Sequence, residues 1–173
     1  MPNGREKISA FIVTRDLPGF SSGKLEYKMG IKGSNTVELF FQDVPIPAEN
    51  LLGEVGKGFK IALEVLNTGR LSLAAGCVGG IKESIKMSLA HAESRRQFGK
   101  PIVEFEMIQS YLAEMQTEIT ASRHLTYHAA RLKDAKRRHT MESAMAKYFA
   151  ARTAMKATTL AVQILGGYGY IKD

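Results

Sequence analysis

The chain has no tryptophan and one cysteine among its 173 residues, and only 8% of them are aromatic. A single cysteine, Cys77, excludes any intrachain disulfide and fits a reducing compartment. No apolar run approaches the roughly 20 residues that span a bilayer. The N-terminal stretch Met1-Pro2-Asn3-Gly4-Arg5-Glu6-Lys7 is not followed by the apolar core of a signal peptide. No serine sits in a Gly-x-Ser-x-Gly elbow, and no glycine run is followed by the Lys-Ser/Thr of a phosphate loop. His124 and His128 have metal-ligand spacing, but no third ligand lies nearby in sequence, so a surface pair is expected and no metal is assigned. Nucleic-acid recognition motifs are absent too, and no nucleic-acid partner is expected.

What is present is an ordinary globular composition, 45% hydrophobic and 24% charged, with a net charge of +7. That charge is uneven. Residues 1–56 are close to neutral, whereas residues 57–173 hold 18 of the 24 lysines and arginines. A basic region of this kind suits phosphate groups or a solvated lysine-rich surface.

The pattern changes character near residue 56. Ile8 to Thr14 is a short β-branched run ended by the turn Asp16-Leu17-Pro18-Gly19. Asn35 to Gln42 alternates, with Val37, Leu39 and Phe41 on one face, and reads as a half-buried strand. A third strand is possible around Leu25 to Met29. After the hinge Gly53-Glu54-Val55-Gly56-Lys57-Gly58, Phe59, Leu63, Leu66, Leu73, Cys77, Ile81, Ile85 and Leu89 recur at helical spacing. This predicts a helix of about 35 residues, of the length found in bundles. It breaks at Phe98-Gly99-Lys100-Pro101. Ile108, Tyr111, Leu112, Met115, Ile119, Leu125 and Leu132 mark a second helix. Thr140 is the expected N-cap of a third, Met141 to Leu165, with a stripe of Met145, Phe149, Leu160 and Ile164 and a stop at Gly166. Three helices leave a groove for a fourth helix or a partner chain.

Four glycines, Gly69, Gly76, Gly79 and Gly80, lie inside the first helix at about 1 kcal/mol each against alanine. They suggest close approach by a helix or a ligand. Arg70 is a cation at the edge of the same apolar stripe and needs a partner or a route to solvent. At the first break, Arg95-Arg96-Gln97-Phe98 puts guanidinium forks beside an amide and an aromatic ring. That combination suits a diphosphate and a ribose or adenine edge, and equally a cation cluster complementing a helix C-terminus. The Gly166-Gly167-Tyr168-Gly169 loop leaves backbone N–H groups open to phosphate or carbonyl oxygens.

Together these segments resemble the acyl-CoA dehydrogenase family. The likeness runs from Lys7 to Asp173 through Lys28 to Thr36, Val44 to Gly53, Asn67-Thr68-Gly69-Arg70, the Arg95-Arg96-Gln97-Phe98 break and Gln163 to Tyr170. Ser34-Asn35-Thr36 and Asn67-Thr68-Gly69-Arg70 are most similar to the very-long-chain branch. The resemblance implies an α+β, mainly α fold: the end of a central β-barrel domain over residues 1–56, then an antiparallel helical bundle over 57–173 that lacks its last helices.

The resemblance also implies function. In such enzymes FAD lies at a dimer interface, its ADP portion held by the neighbouring subunit. Arg95, Gln97, Phe98, Phe105, Glu106, Gln163, Gly166 and Gly167 fall on the positions of that contact. Glu106 departs from the family's usual Gln, and an ionised carboxylate would repel a nearby diphosphate. Asn67 would lie near the pantetheine arm and Arg70 near the thioester. The reaction implied is α,β-dehydrogenation of a fatty acyl-CoA in β-oxidation, with electron-transfer flavoprotein or a similar acceptor as partner and a dimer or dimer of dimers as assembly. The expected compartment is the cytoplasm in a bacterium, or the mitochondrial matrix or inner-membrane face in a eukaryote. No catalytic base is assigned. The family's usual Glu follows the Gly-Gly-x-Gly loop at a distance the chain does not reach, and the alternative position is Gly69, which cannot act. The isolated chain is therefore expected to be inactive and to hold FAD weakly. The other reading is a non-catalytic assembly module of the same fold.

Overall fold

The computed structural model describes residues 7–172. The chain forms two compact units, Met1–Glu64 and Val65–Asp173. The expected division at residue 56 lies in the turn before the first helix; the compact units part inside that helix.

The first unit consists of short ladders. Strand β1 (Ala10–Phe11) pairs antiparallel with β4 (Leu51–Leu52), and β2 (Phe20–Ser22) pairs antiparallel with β3 (Leu39–Phe41). The β2–β3 pair is closed by Gly19 at φ +82°, where an added Cβ would lie 2.1 Å from the Gln42 carbonyl oxygen. Only glycine fits there. Two expectations are corrected. Leu25 to Met29 is not a strand, although Glu26 N–H donates to Thr36 O at 2.9 Å. The strand read over Asn35 to Gln42 is only three residues long, and both of its faces are exposed. A two-stranded ladder has no opposing layer to bury either face. Strand β2, framed by Gly19 and Gly23, was not anticipated.

Helix α1 runs from Gly58 to Ser94, 37 residues, close to the predicted length. A hairpin of β5 (Arg96–Gln97) and β6 (Lys100–Pro101) leads to α2 (Glu106–Asp134), and α3 covers Thr140–Leu165 before a 3₁₀ turn over Gly166–Gly169. The bundle is thus three long helices, as the spacing predicts.

The core follows heptad spacing but uses small residues. In α1, Ala74, Ile81 and Ser88 are buried; in α2, Ile119, Ser122, Thr126 and Ala129; in α3, Ser143, Ala146, Ala150, Thr153 and Ala157. Ala74 packs with Ala129, Ala146 and Ala150, and Ile81 with Met115, Ile119, Ala157 and Ile164. Side chains this short let helix backbones approach closely. The α2 stripe matches expectation, with Met115 and Ile119 at its centre. The α1 and α3 stripes hold in part: Ile81 and Ile164 are buried, and Cys77, Ile85, Phe149 and Leu160 are half-buried. Leu66 and Leu73 are 52% and 50% exposed, and Met145 is 47% exposed.

The helical glycines behave differently from the packing role weighed above. An added Cβ at Gly69, Gly76, Gly79 or Gly80 meets nothing within 4 Å. Helix α1 is apolar over an 18-residue window (mean hydropathy 1.2), with 6% of that window buried. By length and composition it would suit a membrane crossing, which the sequence reading did not expect. Its buried seam against α2 and α3, together with the half-buried Arg70, makes it a bundle helix with one uncovered face.

Candidate functional site

The site begins at the end of α1. His91, Ser94 and Arg95 fall on its last turn and the residue after it. Tyr168, from the 3₁₀ turn after α3, completes an open hollow of about 240 Å³ with them. The His91 and Tyr168 rings are 5.9 Å apart and tilted by 59°. The Arg95 break and the glycine loop therefore share one hollow, as the sequence reading requires. Among the described residues, Arg95 takes part in no salt bridge.

Gly166 ends α3 with φ +58°, and its N–H turns back onto the Gln163 and Val162 carbonyls. Nothing lies within 4 Å of a Cβ built at Gly166 or Gly167, so that side of the turn is open. Gln163 is exposed on the last turn of α3.

The hairpin is built around strain. Its two turn residues, Phe98 and Gly99, have φ +52° and +82°. Two consecutive positive φ angles are what a two-residue primed turn needs, and phenylalanine is a poor choice for the first of them. Phe98 is nevertheless 93% exposed and touches Phe105 edge-on, with ring centroids 6.2 Å apart. Lys100 Nζ lies 4.6 Å from the Phe105 ring centroid. Arg96 donates to Gly99 O at 3.2 Å, and Gln97 Nε2 donates to Arg96 O at 2.7 Å. Arg96 thus braces the turn. Glu106 is exposed in the first turn of α2, where the helix dipole favours an acid and no side chain caps the helix.

Asn67 and Arg70 form a second group. Arg70 Nη1 donates to Asn67 Oδ1 at 3.0 Å, and Asn67 Nδ2 donates to Thr140 Oγ1 at 3.1 Å. Thr140 is not the N-cap expected of it. His139 occupies that position without a side-chain cap bond, and the Thr140 hydroxyl meets Asn67 instead. Arg70, Arg138, Thr140 and Glu142 line an open hollow of about 530 Å³. A larger groove lies along one face of α3, beside Tyr148, Arg152 and Met155, and touches neither group.

The two groups are far apart. Asn67 is bonded to the first residue of α3, and Gly166 follows its last. Twenty-six helical residues at about 1.5 Å each separate them by roughly 39 Å. His91, Ser94, Tyr168 and Arg138 line these hollows without having been expected from the sequence. The spacing of His91 and Arg95, one turn apart on the same helix face, was the available signal.

The lining of the first hollow, with the Arg95 guanidinium, the Ser94 hydroxyl and the rings of His91 and Tyr168, has the chemistry to meet a phosphate-bearing ligand. His124 and His128 are both exposed on α2, and Cys77 is half-buried against the alanine cluster.

Comparison with known proteins gives the family. The sequence profile of the acyl-CoA dehydrogenase C-terminal domain matches residues 56–173. The acryloyl-CoA reductase (NADH) of Anaerotignum propionicum is 49% identical over 170 residues, 98% of this chain and 43% of that protein. The structure of butyryl-CoA dehydrogenase from Megasphaera elsdenii superposes with a TM-score of 0.93 at 47% identity, covering 99% of this chain and 45% of that one. A chain in the structure described as the electron transferring flavoprotein of Acidaminococcus fermentans has a TM-score of 0.91 at 47% identity, covering 94% and 43%. This chain spans less than half the length of these relatives. The expected nearness to the very-long-chain branch is not supported: the relatives include a butyryl-CoA dehydrogenase and an acyl-CoA dehydrogenase described as short-chain specific, both of Megasphaera elsdenii. The chain belongs to the acyl-CoA dehydrogenase family and carries its C-terminal helical domain.

Proposed function

We propose that this chain forms part of an FAD-dependent acyl-CoA dehydrogenase and contributes to two different active sites. The observation that carries this reading is the separation along α3. Arg95 and the Gly166 turn lie at one end, Asn67 and Arg70 at the other, farther apart than one extended dinucleotide reaches. Within one protomer the two groups cannot serve the same flavin. Across a dimer they can, with one protomer holding the ADP portion and its partner facing the thioester. The exposed, strained Phe98 supports the same arrangement, because a costly conformation at a fully exposed ring gains its return from an intermolecular contact.

In this reading the Arg95 guanidinium and the Gly167 N–H hold the diphosphate, Gly166 contributes the bare turn that lets it approach, Gln163 and Gln97 meet ribose or adenine edges, and Phe98 and Tyr168 cover the rings. Arg70 faces the acyl thioester and Asn67 the pantetheine arm. Bound flavin supplies the hydride acceptor for α,β-dehydrogenation. The acyl chain is short, in keeping with the butyryl-CoA relative, and the electron acceptor is electron-transfer flavoprotein or a similar carrier. The compartment is the cytoplasm of a bacterium, or the mitochondrial matrix or inner-membrane face of a eukaryote. The test is to express the full reading frame around this chain and add butyryl-CoA anaerobically. Bleaching of protein-bound flavin is the expected result; a preparation that binds no flavin rejects the reading.

A second reading, a non-catalytic assembly module, has one observation in its favour: the uncovered apolar face of α1. It predicts stable association of the same protein without flavin.

A further inference from the structure

We infer that Thr140 is a positioning residue that holds the Arg70 guanidinium in place through Asn67. The inference rests on the reading of Arg70 given above. Asn67 has both ends of its amide engaged: Nδ2 donates to Thr140 Oγ1 at 3.1 Å, and Oδ1 accepts from Arg70 Nη1 at 3.0 Å. This arrangement has one orientation. Flipping the amide would turn its NH₂ toward the guanidinium, donor against donor. The guanidinium, which can only donate, selects this orientation, and the Thr140 hydroxyl anchors it by accepting from Nδ2.

Two further observations give the relay a purpose. Thr140 is the first residue of α3, one past the N-cap His139, and no side chain caps this helix. The hydroxyl is spent on Asn67 instead. Arg138 and Glu142 line the same hollow as Arg70. One repels a guanidinium and the other attracts it, so an untethered Arg70 would swing away from Arg138 toward Glu142. Asn67 and Arg70 stand one helical turn apart on α1 and cannot resist that pull alone, since Asn67 is itself free to rotate. The fixed point comes from α3.

The test uses the full-length protein with butyryl-CoA. Removing the hydroxyl with Thr140→Val is expected to lower kcat/KM about two- to tenfold, the range of one hydrogen bond, and Thr140→Ser to restore it to within about twofold. In an Arg70→Lys background, Thr140→Val should add no further loss, because both changes break one relay. An equal loss in both backgrounds, or no loss in either, overturns the inference. If the wild-type protein shows no dehydrogenation, the functional reading fails, and the relay is judged on the isolated chain. There, nitrogen-labelled NMR should find the Arg70 guanidinium protons exchanging about threefold faster or more in Thr140→Val and unchanged in Thr140→Ser. Unaltered exchange in the valine variant overturns it.

Discussion

The imidazole of His91 and the phenol ring of Tyr168 lie 5.9 Å apart, joining the last turn of α1 to the turn that follows α3. With Ser94 and Arg95 they line one open hollow. If that hollow takes the diphosphate end of a flavin dinucleotide, truncating either ring loosens it. Tyr168→Ala is expected to weaken flavin retention of the full-length protein about two- to tenfold, the range of an aromatic pair, as read from flavin released on dilution.

Arg95 should matter more. A charge-assisted contact exceeds a neutral one, and a guanidinium fork cannot be copied by an amine. Arg95→Gln is expected to raise the flavin dissociation constant by about tenfold to a hundredfold, with Arg95→Lys between it and wild type, measured by fluorescence titration.

Phe98 separates folding from binding. At φ +52° before a glycine at φ +82°, asparagine suits the turn far better than phenylalanine. Phe98→Asn should raise the stability of the isolated chain by about 0.5–1 kcal/mol in urea unfolding. In the full-length protein it should lower flavin affinity. A variant that neither gains stability nor loses flavin leaves the exposed ring without a role.

Lys156 on α3 bonds to Glu114 and Glu118 on α2, and these partners, Glu114 first, hold its pKa above the ordinary 10.5. A raised folded-state pKa favours the folded chain while lysine is charged. The contribution is complete below pH 10.5 and is lost as pH rises through the folded value. The Tm difference between wild type and Lys156→Met should therefore be constant at neutral pH and shrink at strongly alkaline pH. Added salt should also reduce it, since the pair is partly exposed.

The alanine seam has no room to spare. Ala146 and Ala150 are fully buried, packed with Ala74 and Ala129. Ala150→Leu is expected to destabilise the chain by about 1–3 kcal/mol in denaturant unfolding.

The helices were legible because large apolar residues recur along α2, and because Phe98, Pro101 and Gly166 mark real breaks. The seam of α3 was not. Ser143, Ala146, Ala150, Thr153 and Ala157 carry little hydrophobic weight, while Met145 draws the eye to the exposed face. On α1 the same inversion left Leu66 and Leu73 outside and Ala74 inside. The strands were poorly legible because short ladders without an opposing layer leave no burial pattern to read. At the site, Arg95 and Gly166 could be found from residue type, whereas His91 and Tyr168 meet only once the chain has folded. Thr140 was read as a helix cap because sequence gives no hint that Asn67, far upstream, would claim its hydroxyl.

The length of α3 has a further consequence. If its two ends serve different reaction chambers, as proposed, the helix works as a ruler that sets their spacing. Splicing one heptad into each of the three helices would preserve the interlocking of their seams and lengthen the ruler by about 10.5 Å. Such a protein should fold normally yet fail to bring two half-sites into register, because its fault would be one of measurement alone.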